Sequence, residues 1–143
     1  MMKHEFEKIA GYEVTNEDYN NIIEPMYMSL PDVTKQEFVK MIDKKRFALP
    51  TKKQVINDMK KIANHLYEIC GRYSDYKAEH ELDRISREFA KRFYGIDWAN
   101  DTTTYVFTLN GYEFPEIQRG CRYPKTLVIG NKYGEIERIE LVK

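Results

Sequence analysis

Apolar side chains at Val55, Met59, Ile62, Leu66, Ile69 and Tyr73 follow one another by four, three, four, three and four positions. Only a helix gathers such a series onto one face. After a short polar break a second series follows, Ala78, Leu82, Ile85, Phe89, Phe93 and Ile96. The pattern therefore predicts a long antiparallel helical hairpin over about 51–94, closed because neither stripe is stable in water. Ile56, Ala63 and Cys70 widen the first stripe beyond a coiled-coil seam, which suits a globular core. Thr51 is the expected N-cap of the first helix and Gly71 its left-handed terminator. Ser74 and Gly95 are expected to do the same for the second helix.

Upstream, the periodicity is shorter. A helix or arm around Phe6 and Ile9 ends at Gly11, and Thr15 caps a helix from 16 to about 23 or beyond. Its apolar members are Tyr19, Ile22, Ile23, Met26 and Tyr27, and Pro25 is expected to kink it or to force a new start. Leu30-Pro31-Asp32 breaks the chain. Thr34 and Glu37 fit a capping box for a helix through Phe38, Val39, Met41 and Ile42, with Phe47-Ala48-Leu49-Pro50 as an apolar connector.

From residue 102 the period changes to two. Thr103–Leu109, Asn110-Gly111 and Tyr112–Phe114 spell a hairpin with a type I′ turn, pairing Leu109 with Tyr112 and Phe107 with Phe114. A second hairpin joins Thr126–Ile129 to Ile136–Val142 around Asn131-Lys132-Tyr133-Gly134. Helices first and an antiparallel sheet of three or four strands afterwards make the fold class α+β. At 143 residues the expectation is a single domain with one core, helical over about 1–96 and hairpin-built over about 102–143.

Composition changes this picture little. The abundance of aromatics, eleven Tyr and seven Phe, excludes a disordered chain. No apolar run reaches spanning length, and the opening residues carry no signal-peptide core. The reading is a cytoplasmic protein that does not engage membranes, with Cys70 and Cys121 as free thiols.

Charge is more informative. The net is zero, yet residues 1–33 carry two Lys against seven acids, and residues 34–62 carry nine Lys and Arg against three. An acidic head beside a basic segment either pairs within the fold or presents two faces to partners.

Catalytic signatures are largely missing. The chain has no G-x-x-x-x-G-K-[ST], G-x-G-x-x-G or G-x-S-x-G. His80-Glu81 starts like H-E-x-x-H but continues Leu82-Asp83-Arg84, and His4 has no companion, so no metal or other cofactor is expected. Cys121 lies between Arg119 and Arg122, which would favour a thiolate, but a phosphatase-like loop would want Arg where Leu127 stands. Asp97, Asn100 and Asp101 around Trp98 depart from the EF-hand spacing and read as a turn.

Two basic groups remain. Arg119, Arg122 and Lys125 form a loop able to bind a phosphate or carboxylate, against solvated surface charge as the simpler reading. Lys44, Lys45 and Arg46, with Lys53, Asn57, Lys60 and Asn64 on one helical stripe, form a candidate nucleic-acid surface.

Phe6-Glu7-Lys8-Ile9-Ala10-Gly11-Tyr12-Glu13-Val14-Thr15, Ile22-Ile23-Glu24-Pro25-Met26-Tyr27-Met28 and Gln36-Glu37-Phe38-Val39-Lys40 resemble small proteins carried by phages and mobile elements of Gram-positive gut bacteria. The resemblance covers about the first third of the chain and carries no functional residues across. It implies an accessory protein that binds something of the host or of the element.

Taken together, these features favour a non-enzymatic binding protein with a protein partner, working through the N-terminal helices or the exposed side of the sheet. Nucleic-acid binding through 44–61 is the alternative, and an enzyme assembled from distant residues is the third reading. Self-association through an uncovered apolar stripe belongs to the first.

Overall fold

The computed structural model describes residues 1–96, 104–105, 112–114, 123–131 and 134–142. The fold is α+β, helices followed by an antiparallel sheet. The chain forms two compact units, Met1–Pro50 and Thr51–Lys143. Instead of one core, the buried side chains make two clusters, one in each unit.

In the first unit, α1 (Lys3–Ala10) ends at Gly11, whose φ of 80° is left-handed and open to a residue without Cβ. Thr15 accepts from the Asp18 amide and starts α2 (Asn16–Asp18). A π-helical turn over Tyr19–Ile23 follows, and α3 (Glu24–Ser29) continues the same rod. Pro25 gives the reason: its ring lacks an N–H and would clash with the carbonyl one regular turn back, so widening that turn lets the helix pass through. Neither a fresh start nor a break is needed.

Thr34 caps α4 (Lys35–Met41) by accepting from Glu37. Asp43 caps a further short helix, α5 (Lys44–Phe47), which the sequence pattern does not indicate and which ends on the first residue of the expected connector. Phe6, Val14, Tyr19, Ile23, Phe38, Ile42 and Phe47 form the core. Phe6 anchors it, with the Tyr12, Tyr19 and Phe38 rings 6.0, 6.0 and 6.4 Å away. Ile9 and Met41, expected inside, are exposed.

In the second unit the hairpin is α6 (Lys52–Glu68) and α7 (Tyr76–Tyr94). Thr51 and Gln54 exchange capping bonds of 3.2 and 2.8 Å at the start of α6. Met59 touches Ser86, and His65 touches Asp75, so the helices run antiparallel. The deepest line on α6 is Met59, Ala63 and Leu66, while Val55 and Ile62 are half-buried beside it. Tyr73 is not part of the seam, since α6 stops at Glu68 and the ring is exposed. Asp75 rather than Ser74 caps α7, accepting from Ala78 at 3.0 Å.

The sheet has four described strands: β1 (Thr104–Tyr105), β2 (Tyr112–Glu113), β3 (Thr126–Asn131) and β4 (Gly134–Glu140). The second expected hairpin forms as β3–β4, from Thr126 opposite Glu140 to Asn131 opposite Gly134, with a bulge at Ile129/Gly130. The turn and the pairs of the first expected hairpin lie outside the described residues. β1 and β2 both run antiparallel to β3, at its two ends, and therefore run in the same direction as each other. Tyr112 faces Leu127, whereas Leu109 and Phe107 lie outside the described residues.

β3 is buried on both faces. Leu127 and Ile129 meet the helices, and Val128, pointing the other way, is fully buried too. Tyr112, Leu127 and Ile139 form one row across three strands toward the helices. From that row the Tyr112 hydroxyl donates to Ser86 Oγ at 2.7 Å, and Ser86 donates to Met59 Sδ at 3.3 Å. One polar chain thus joins sheet, α7 and α6 inside the core.

The free-thiol expectation is overturned for Cys70, which is disulfide-bonded; Cys121 lies outside the described residues. Spacing in sequence carried no trace of this, because the fold and not the chain order brings cysteines together.

Candidate interaction surface

Groups with catalytic potential are mostly committed to structure. His65 Nε2 lies 2.8 Å from Asp75 Oδ2 across the turn between α6 and α7. The Ala78 amide, and after it His65, hold the Asp75 carboxyl below its ordinary range. That pair ties the turn and caps α7. His4 and His80 are exposed, and among the described residues no group of three or more His, Cys, Asp or Glu is placed to hold a metal. Ser86 is wholly buried, and burial pushes the Tyr112 hydroxyl well up, so neither meets a solvent-borne substrate. Cys121 lies outside the described residues. Arg119 and Arg122 lie outside the described residues, as do Asp97, Asn100 and Asp101. Lys125 is exposed, and its backbone is bonded to Glu113 and to Leu141.

The basic stripe is divided by the unit boundary. Lys44, Lys45 and Arg46 lie on α5 in the first unit, where Lys44 sits 5.9 Å over the Tyr12 ring and Arg46 4.7 Å over Phe47. Lys53, Asn57 and Lys60 are exposed on α6 in the second. Asn64 does not belong with them. It is half-buried, and its amide donates to the Leu141 carbonyl at 3.2 Å, fastening α6 to the end of the sheet.

The first unit presents a different surface. Five of the chain's six methionines fall in residues 1–50, and four of them face water: Met28 is 76% exposed, Met2 63%, Met41 58% and Met26 40%. So much thioether on so small a unit is unusual, because methionine is normally a core residue. Between Lys8 and Lys35 there is no Lys or Arg at all, while Glu13, Glu17, Asp18, Glu24 and Asp32 lie in that interval. The rod Asn16–Ser29 has an inner face of Tyr19 and Ile23, with Glu17, Asn20 and Asn21 exposed; Met26 and Met28, two positions apart, are exposed on opposite flanks of Tyr27.

Sequence periodicity assigned Met26 and Met41 to the apolar faces of their helices, and so missed this surface. Two signals could have found it: the cation-free interval, and the π turn implied by Pro25, which shifts the phase of everything after it.

No family model, no curated protein and no solved structure matches the chain.

Proposed function

We propose that the chain is a non-enzymatic binding protein that acts through protein contacts made by its N-terminal unit. The observation that carries this reading is the exposure of Met2, Met26, Met28 and Met41 on a unit whose aromatic core is otherwise well buried. Flexible, polarisable methionine side chains suit an adaptable contact surface, and leaving them in water is otherwise a cost. The sheet is the weaker candidate for the contact, because Val128 is buried on the side away from the helices. The disulfide at Cys70 favours action where thiols stay oxidised over the reducing cytoplasm.

A photo-crosslinking residue placed at Met28, in cells of the native host, tests the proposal. A discrete protein adduct at Met28 and none at Glu79 of α7 is the expected result. Equal labelling at both positions, or none at either, removes it.

Nucleic-acid binding through the basic segment is the second reading, favoured by the joint exposure of Lys53, Asn57 and Lys60 on α6. Fluorescence anisotropy with duplex and single-stranded probes at low salt decides it. Binding unaffected by Lys53→Glu with Lys60→Glu rejects that stripe.

A further inference from the structure

We propose that the second unit binds single-stranded nucleic acid along the face of α6 that runs from Lys53 to Tyr67; this deepens, and rests on, the nucleic-acid reading of that helix. Lys53, Lys60 and Tyr67 stand seven residues apart, close to two turns each, so they follow one line about 21 Å long on a regular helix. All three are exposed, and Asn57 with them. Lys52 is committed, to Glu137 at 3.7 Å and to the Tyr94 ring at 4.9 Å. Lys53 and Lys60 have no acidic partner among the described residues.

The fold adds to this line what chain order keeps apart. The Asn64 amide donates to the Leu141 carbonyl at 3.2 Å, and the Leu141 backbone N–H donates to the Lys125 carbonyl at 2.8 Å. Lys125, exposed, is thereby brought beside the C-terminal half of α6. Two residues before it, the Tyr123 ring makes a T-shaped contact with Tyr67, centroids 4.7 Å apart. Tyr123 is packed against the core, so it steadies the Tyr67 ring while 47% of Tyr67 stays in water.

Chemistry chooses the occupant. Lys53, Lys60 and Lys125 along one rim call for a polyanion. A steadied, solvent-facing aromatic ring adds a stacking surface for a base, which a duplex keeps inside its own stack and a lone strand presents. An anionic lipid surface fits less well: the large apolar side chains exposed on the described part of this unit are Tyr67, Tyr73 and Tyr76, none of them an aliphatic anchor.

The test follows a fluorescein-labelled thymidine 12-mer by anisotropy at low salt, with the full-length, oxidised chain. Binding is expected, about tenfold tighter than to a duplex of the same length or to an abasic strand carrying the same phosphates. Tyr67→Leu should weaken it about tenfold and Tyr67→Phe less than about twofold, since the ring and not the hydroxyl does the stacking. Lys53→Glu with Lys60→Glu should weaken it by more than about tenfold and flatten its salt dependence, and Lys125→Glu should weaken it several-fold. Lys8→Glu with Lys91→Glu, the same charge change away from α6, should cost less than about threefold.

An abasic strand or a duplex bound as tightly as the 12-mer overturns the single-strand inference, and so does Tyr67→Leu with unchanged affinity. In those cases a loss through the α6 lysine pair leaves the nucleic-acid reading of α6 standing. If neither strand nor duplex binds, or if Lys8→Glu with Lys91→Glu weakens binding as much as the α6 pair does, the inference and that reading fall together.

Discussion

Replacing Ser86 with Ala should loosen the second unit out of proportion to the one oxygen removed. Ser86 is fully buried, lies 2.7 Å from the Tyr112 hydroxyl and 3.3 Å from Met59 Sδ, and so contacts β2 and α6 from its place on α7. A neutral hydrogen bond contributes only about 1 kcal/mol net, but removing one partner of a buried pair costs about 1–3 kcal/mol, because the remaining group keeps its desolvation penalty. Tyr112→Phe removes the donor instead and should cost nearer 1 kcal/mol, since Ser86 still has Met59 to donate to. The double variant should then be more stable than the sum of the single losses implies, by about 1 kcal/mol of coupling.

Native-state hydrogen exchange suits the measurement, because it reads the amides of α6, α7 and β3 separately from the first unit. A loss of about 2 kcal/mol appears as roughly thirtyfold faster exchange at the slowest amides around Met59, Leu82 and Leu127. Additive single effects would refute the coupling. A Ser86→Ala chain with protection equal to the parent would refute the claim that the polar chain fastens the layers.

Other consequences are open to test. Thr51→Ala removes half of the capping box with Gln54 and should cost about 1 kcal/mol, read as a lower urea midpoint for α6 at unchanged slope. Breaking the disulfide with a dithiol, or making Cys70→Ser, should cost about 2–5 kcal/mol; identical urea midpoints with and without dithiothreitol would show that the bond does not constrain the unfolded chain. Asp75, whose carboxyl is depressed by Ala78 and then His65, contributes stability that is present above its unfolded value and lost as pH falls through its folded one. The melting temperatures of the parent and of Asp75→Asn, which keeps an oxygen for Ala78, should therefore differ at pH 7 and converge only once the pH has fallen below the lowered Asp75 value.

The hairpin α6–α7 was legible because a repeat of alternating three and four is a local property, written within each helix and enforced by water. Thr15, Thr34 and Thr51 were legible as caps for the same reason: a cap bonds to amides two or three residues away. The β3–β4 pair followed from short alternating runs around a tight turn. Less local facts were not legible. The pairing of β1 and β2 with β3 had no local signal, because a strand takes the partner that best buries its face, wherever that partner lies in sequence. The candidate surface was hidden for a similar reason: Met26 and Met28 are apolar on paper, and only the core beneath them decides that Tyr19 and Ile23 take the inside.

The sequence alone thus determined the longer helices, the caps Thr15, Thr34 and Thr51, the order of helices and sheet, and the uneven charge along the chain, since each depends on neighbours within a few residues. Tertiary structure alone decided that there are two cores, that Cys70 is bonded, that Tyr112, Ser86 and Met59 meet, and that four methionines stay in water. Those outcomes turn on which surfaces compete successfully for burial across long stretches of chain, a contest settled by packing rather than by periodicity.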